Sequence, residues 1–235
     1  MSAPWYVEFF QSGDYARIYS FEEERSDKEA RFAKGVLGLR GGERVLDLCC
    51  GTGRHLRPLH ALGIDLNRAA LRGLPAACAD MRELPLRSSS FDAAVSLFSS
   101  FGYLESDAED LRVLREVARV LRPGGKLLLD LLNREYALCG FADTVQRLQG
   151  ETLVVEKRVW DALEGRLSTS FVVVSEDGAR KDSVGHSLRL YSLTELRALL
   201  DAAGLAIERV YGGISYEPYK LESVRMIPLI SKRSW

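Results

Sequence analysis

Residues 43–55, ERVLDLCCGTGRH, restrict what this chain can fold into more than any other stretch. Val45, Leu46 and Leu48 make a short apolar run of the kind that forms a central parallel strand. Gly51-Thr52-Gly53 follows where such a strand gives way to a helix. The two glycines permit a tight turn and the approach of a ligand to main chain, and the N–H groups that open the next helix can receive electronegative atoms. Asp47, at the carboxyl end of the strand, has no explanation in core packing. Two readings follow: a strand-turn-helix connection that binds nothing, or the crevice of an α/β sheet where nucleotide-type cofactors sit.

The run is not a dinucleotide fingerprint, because G-x-G-x-x-G needs a third glycine, and it lacks the Lys of a phosphate-binding P-loop. VLDLCCGTGRH instead closely resembles the first motif of class I S-adenosylmethionine-dependent methyltransferases. ADMRELP (79–85), FDAAVSLFSSFGY (91–103) and VLREVARVLRPGGKLLLDLLN (113–133) extend the resemblance in the family's order. It implies an α/β fold with a seven-stranded Rossmann-like sheet, strand order 3-2-1-4-5-7-6, plus an antiparallel β appendage. It also implies S-adenosyl-L-methionine as cofactor and S-adenosyl-L-homocysteine as product. The cofactor contacts implied are Asp47, Gly51, Thr52, Gly53 and Arg54 around the glycine turn, Asp65 on the ribose, Asp80 and Met81 on the adenine, and Leu97 beside them. Asp65 lies 18 residues after Asp47, close to the spacing at which an acidic side chain accepts ribose hydroxyls. Its other reading is a helix N-cap for the NRAAL segment.

Composition is compatible with an enzyme of this kind. A chain of 235 residues with 46% apolar content can bury one substantial core, and a formal charge of -1 provides no strong signal for nucleic acid. Four cysteines without C-x-x-C spacing and three scattered histidines favour neither a disulfide framework nor a metal site. Cys49 and Cys50 read as small packing residues rather than nucleophiles. No basic leader precedes a long apolar run, and no stretch approaches the ~20 apolar residues of a membrane span, so a cytoplasmic protein is expected.

In chain order, residues 1–40 read as an N-terminal helical cover, 41–134 as the cofactor-binding core, 135–191 as an inserted β-rich acceptor platform, and 192–235 as the completion of the sheet. Tyr15 and Tyr19, one helical turn apart, can face one pocket, and similar methyltransferases fold such a Y-x-x-x-Y segment over cofactor and acceptor. Ser26 with Glu29, Ser106 with Glu109, and Ser192 with Glu195 have capping-box spacing. The segments after the first and second strands are short, so both crossover helices are abbreviated. Tyr103 and Asn133 fall at the ligand edge of the sheet. Arg189 and Tyr191 resemble a recurring R-x-Y element, and all four are expected around the acceptor.

The implied reaction is direct methyl transfer to a small nucleophile. A neutral amine needs a free lone pair more than a strong base, and none of the histidines is an evident base, which tilts the reading toward an amine. Tyr15 and Tyr19 are expected to position the acceptor. A noncatalytic S-adenosylmethionine-binding protein and a protein or RNA methyltransferase are the alternatives. The sequence does not distinguish a monomer from a homodimer.

Overall fold

A computed structural model describes residues 5–11, 18–19 and 23–233. Its core is a sheet whose main path runs β3-β2-β1-β4-β5-β12-β11, formed by β1 (Val45–Leu48), β2 (Ala61–Asp65), β3 (Ala76–Cys78), β4 (Phe91–Ser96), β5 (Leu121–Leu129), β11 (Leu205–Tyr211) and β12 (Arg225–Lys232). The first five strands pair in parallel, whereas β12 is antiparallel to both β5 and β11. With β12 as the seventh strand of the expected series, the expected order is the one observed.

All four residues of β1 are buried, because helices cover both faces of the sheet. Side chains alternate across a strand, so Leu46 and Leu48 join one core cluster with α4 (Asp107–Val120) and α6 (Leu193–Ala202). Val45 joins the other with α2 (Glu23–Leu37) and α3 (Leu56–Leu59). Ser192 and Glu195 cap α6 reciprocally, while Ser106 caps α4 by accepting from Glu109 N. Pro228 sits in an internal strand, which its missing N–H would ordinarily forbid. It is tolerated because residues 229–231 of β12 pair with β5 and residues 225–226 pair with β6 (Leu131–Leu132), and Pro228 falls in the gap between.

The abbreviated crossovers are real features of the fold. After the glycine turn α3 has four residues, and turns rather than helices connect β2 to β3 and β3 to β4. NRAAL therefore forms no helix for Asp65 to cap.

Beyond α5 (Arg134–Cys139), β7 (Thr144–Gln149), β8 (Thr152–Asp161), β9 (Arg166–Val174) and β10 (Arg180–Arg189) form a separate antiparallel sheet in order β10-β9-β8-β7. α1 (Trp5–Gln11) docks between this sheet and the core: its Phe9, with Ile18, shares a buried cluster with Val154, Phe171 and Val173, while its Tyr6 packs against the core cluster. Among the described residues no helix is long and apolar enough to cross a membrane, and no group of three His, Cys, Asp or Glu side chains could hold a metal ion.

Candidate active site

A cavity of about 1100 Å3 opens at the carboxyl ends of β1, β2 and β4, between the core sheet and the residues of α1 and α2 that face it. Asp47, Gly51, Thr52, Arg54, Asp65, Asp80, Met81 and Leu97 all line it, as do Tyr19 and Tyr103. Tyr15 lies outside the described residues.

Each wall follows from local structure. The chain turns sharply after β1 with left-handed backbone at Cys49 (φ 58°), Gly51 (φ 54°) and Gly53 (φ 77°). A Cβ on Gly51 would meet no atom within 4 Å, so the missing side chain leaves open cavity there. Gly53 does not line the cavity; a Cβ there would come within 2.6 Å of Leu74 Cδ1. Its absent side chain therefore makes room for Leu74 beside the turn. Burial pushes the Cys49 thiol well above its ordinary range and that of Cys50 up to about 12, so neither is a ready thiolate.

Asp47 is 2% exposed, and its Oδ2 makes no hydrogen bond with any described residue. Burial lifts its pKa to about 7, opposed by the positive charge of Arg54 and reinforced by the negative charge of Asp65. Asp65 bridges the turn by accepting from Gly51 N and Asn67 N, both at 2.8 Å. At the far end Arg82 grips Asp80 through Nε at 3.1 Å and Nη2 at 2.7 Å, and it also pairs with Glu109. Burial would raise the Asp80 pKa, but Arg82 outweighs it and the net shift is downward.

Glu29 organises the opposite end and was hidden by its spacing from Ser26. α2 begins at Glu23, so Ser26 and Glu29 lie inside the helix and form no cap. Glu29 is 5% exposed and takes Arg25 Nε at 2.9 Å, His55 Nε2 at 2.8 Å and the Arg54 guanidinium. Burial alone would raise its pKa, yet hydrogen bonds from His55, Arg25 and Arg54 and the Arg54 charge hold it at about 2. The signal in the sequence is a glutamate among Ala30, Phe32, Ala33, Val36 and Leu37, on the face of α2 that is otherwise apolar.

Glu29 therefore stabilises the fold above its unfolded pKa of about 4.5, and that contribution disappears as pH falls toward 2. The shift corresponds to ~3 kcal/mol. Glu29→Gln should cost roughly that much at pH 7 and much less at pH 3, read from urea midpoints of the two proteins. An equal cost at both pH values would contradict it.

The wall nearest α1 is aromatic. Tyr6, Phe10, Tyr19, Phe98 and Tyr103 line it, and the Tyr19 and Phe98 rings meet edge to face at 5.9 Å. Phe98 and the following Ser99 both have left-handed backbone, φ 60° and 58°. Asp130, which the sequence reading missed, fixes them: its Oδ2 accepts from Phe98 N at 2.9 Å and its main-chain oxygen from Ser99 N at 2.7 Å. Arg225 completes the clamp, with Nε 2.7 Å from Asp130 Oδ1 and Nη2 3.0 Å from Ser99 Oγ.

Three residues expected around the acceptor are elsewhere. Asn133 is fully buried and ties the 220–223 loop to α5, donating to Leu221 O at 3.1 Å and Ser223 O at 2.7 Å and accepting from Glu135 N at 3.1 Å. Tyr191 is 2% exposed, with its hydroxyl 2.7 Å from Asp110 Oδ2. Arg189 stacks over the Tyr191 ring at 4.5 Å and pairs with Asp107 and Glu195 at 3.2 and 3.0 Å. The R-x-Y element thus joins β10 to α4 and α6, and none of the three side chains lines the cavity. Residues with both charge and hydrogen-bonding reach satisfy either role in a sequence; their carboxylate partners decide it here.

The comparisons agree with this architecture. The model of a methyltransferase domain matches residues 46–129. The chain is 32% identical over 187 residues to the dTDP-3-amino-3,4,6-trideoxy-alpha-D-glucopyranose N,N-dimethyltransferase of Streptomyces venezuelae, covering 73% of this chain and 78% of that one. It is 27% identical over 210 residues to the cypemycin N-terminal methyltransferase of a Streptomyces species, covering 82% and 84%. Among solved structures, the CcbJ methyltransferase from Streptomyces caelestis shares the fold with a TM-score of 0.80 at 18% identity, over 97% of this chain and 98% of that one.

Proposed function

We propose, from the premise that this chain belongs to the S-adenosylmethionine-dependent methyltransferase family, that it methylates the nitrogen of a small amine. The observation that carries the cofactor site is the buried Asp47 carboxylate, whose Oδ2 lacks a described partner and lies on the same wall as Arg54. An amino-acid zwitterion matches that wall, its ammonium toward Asp47 and its carboxylate toward Arg54. Gly51 leaves room for the chain beyond it, Asp65 stands at the ribose distance in sequence, and Met81, Leu97 and Leu104 provide apolar surface for a base. The residues present fit the cofactor.

S-adenosylmethionine supplies an electrophilic methyl group on a sulfonium. The chain's own residues must then align the acceptor and exclude water. The aromatic side chains on the acceptor wall are suited to enclosing a methyl group that carries partial positive charge, since ring faces attract cations. A neutral amine attacks with its own lone pair and needs no strong base from this wall, which is what the amine reading requires of these rings. Two relatives support nitrogen as the target: one dimethylates an amino sugar, the other acts on the N-terminus of cypemycin. Tyr19 and Tyr103 belong to the acceptor wall in this reading, and Tyr15 is retained beside them as a proposal from the sequence.

Calorimetry should detect binding of S-adenosylmethionine and S-adenosylhomocysteine and no comparable response to NAD. With methyl-labelled cofactor, label should enter an amine in the small-molecule fraction of a cell extract. Label confined to the protein or RNA fractions would reject the small-molecule acceptor.

A further inference from the structure

Tyr191 and two aspartates of α4 meet where β10 passes into α6. The Tyr191 hydroxyl oxygen is 2.7 Å from Asp110 Oδ2 and 2.8 Å from Asp107 Oδ1. A phenol has one hydrogen, so it serves only one of two contacts this short. Were both aspartates ionised, the other contact would set a carboxylate oxygen against a hydroxyl oxygen with no hydrogen between them. A second hydrogen has to come from one of the carboxyls.

Burial decides which. The Asp107 side chain is 55% exposed and pairs with Arg189 Nε at 3.2 Å, so it is the carboxylate. Asp110 is 0% exposed, and its Oδ1 has no hydrogen-bond partner among the described residues. An anion there would be held by a single hydroxyl, whereas a neutral acid leaves only a bare carbonyl oxygen, which is far less costly to bury. The hydrogens therefore run in one direction, from Asp110 Oδ2–H to Tyr191 Oη and from Tyr191 O–H to Asp107.

This chain of hydrogen bonds adjoins the cavity wall. Tyr103 and Leu104, which line the cavity, lie just ahead of α4, and the outer sheet holds their loop by its main chain. Arg189 N donates to Gly102 O at 2.8 Å, and Arg166 Nη2 donates to Leu104 O at 2.6 Å. A Cβ on Gly102 would come within 2.6 Å of Arg189 O, so β10 and the loop touch there. We propose that Asp110 is a positioning residue held as the neutral acid, that its hydrogen latches α4 to Tyr191 at the end of β10, and that this latch fixes the 102–104 wall until ionisation of Asp110 releases it. The proposal is independent of which acceptor is methylated.

The electrostatics support the acid form. Burial pushes the Asp110 carboxyl up to about 7, opposed by the Tyr191 hydroxyl and the Arg166 charge and reinforced by Asp107 and Glu109. Arg166 approaches from β9, but its own hydrogen bonds go to Leu104 O and Ser187 Oγ. Arg82 pairs with Glu109, and Arg189 of β10 with Glu195 of α6. An aspartate whose folded pKa is raised favours the fold most below its unfolded value, and that contribution is lost as pH climbs from 3.8 through about 7. The latch is closed in acid and loosens above neutrality.

Infrared spectra of protein carrying 13C-labelled aspartate read the hydrogen directly. The difference between wild type and Asp110→Asn, in which Asp47 cancels, should contain a protonated-carboxyl band at pH 6 that gives way to a carboxylate by pH 9. A carboxylate already present at pH 6 overturns the proposal. Tyr191→Phe removes the acceptor of the Asp110 hydrogen and should move the band to higher frequency, a readout that does not require the asparagine variant to fold. An unmoved band places the hydrogen elsewhere and overturns the proposal as well. The wall is read from exchange of the Arg189 amide hydrogen, the donor to Gly102. At pH 6 it should exchange at the same rate in wild type and Asp110→Asn, because the asparagine amide takes the place of the acid O–H. At pH 9 it should exchange about tenfold faster in the wild type, the effect of losing one hydrogen bond beside a charge. Equal rates at pH 9 would show that the wall does not depend on the Asp110 hydrogen and would sink the proposed latch.

Discussion

Asp47→Asn should make the free protein more stable at pH 8 while removing most of its affinity for S-adenosylmethionine. Burial raises the Asp47 carboxyl to about 7 in the folded chain, against 3.8 for an ordinary aspartate. A raised folded pKa means that the group favours folding most below the unfolded value, and that this contribution is lost as pH climbs from about 4 through 7. Above pH 7 the folded protein carries a buried anion whose Oδ2 has no described partner. An amide of the same shape avoids that charge, with an expected gain of about 1–3 kcal/mol at pH 8 and little gain near pH 4. The opposite sign applies to binding. A cationic ammonium beside Asp47 favours the ionised carboxylate, so affinity should fall up to about tenfold per pH unit below 7 in the wild type. Asp47→Asn should bind about 30- to 100-fold more weakly at pH 8, the worth of one hydrogen bond to a charged group, and should lose that pH dependence. Urea titrations at the two pH values and calorimetry in buffers of different ionisation heat would read both effects. A variant that is less stable at pH 8 yet binds normally would mean that Asp47 serves the fold alone.

The trade between stability and binding at Asp47 was half legible in the sequence. Its place at the end of an apolar strand before Gly51 announced a ligand-side carboxylate, because few structural roles put a charge there. The order of the sheet was implied by the family resemblance of these motifs, whereas the individual strands and the shortened crossovers were legible locally, since strand runs, glycine turns and helix caps are properties of neighbouring residues. Misread positions were those decided by distant partners. Glu29 has capping-box spacing from Ser26, but the helix starts three residues earlier and the carboxylate turns inward to Arg54 and His55. Arg189 and Tyr191 resembled acceptor residues until Asp107, Asp110 and Glu195 were brought against them. Arg82 and Asp130 carried no local signal at all, because each acts through a contact that the fold creates.

Asp130 is the distant contact whose loss should be felt most widely. Two consecutive residues without glycine's freedom, Phe98 and Ser99, are held at positive φ, a conformation that costs of order 1–3 kcal/mol each and persists only where surroundings over-determine it. The Asp130 carboxylate does so by binding Phe98 N and Arg225 together, from a position only 6% exposed. Asp130→Ala leaves the Arg225 guanidinium without its carboxylate and Phe98 N–H without its acceptor, so destabilisation of about 3–5 kcal/mol is expected from an uncompensated charge in a largely enclosed position. The loop would then relax toward ordinary backbone angles and carry the Phe98 ring away from Tyr19 and Arg54, which it now contacts at 5.9 and 5.7 Å. Methyl transfer should fall by about a hundredfold, since alignment of reacting groups is what the loop supplies. Adding Arg225→Met separates the two effects: it should restore much of the stability by removing the stranded charge, yet leave turnover low, because nothing in the double variant holds Phe98 in place. Recovery of turnover together with stability would show that the Asp130 clamp acts on the fold and that the left-handed loop forms without it.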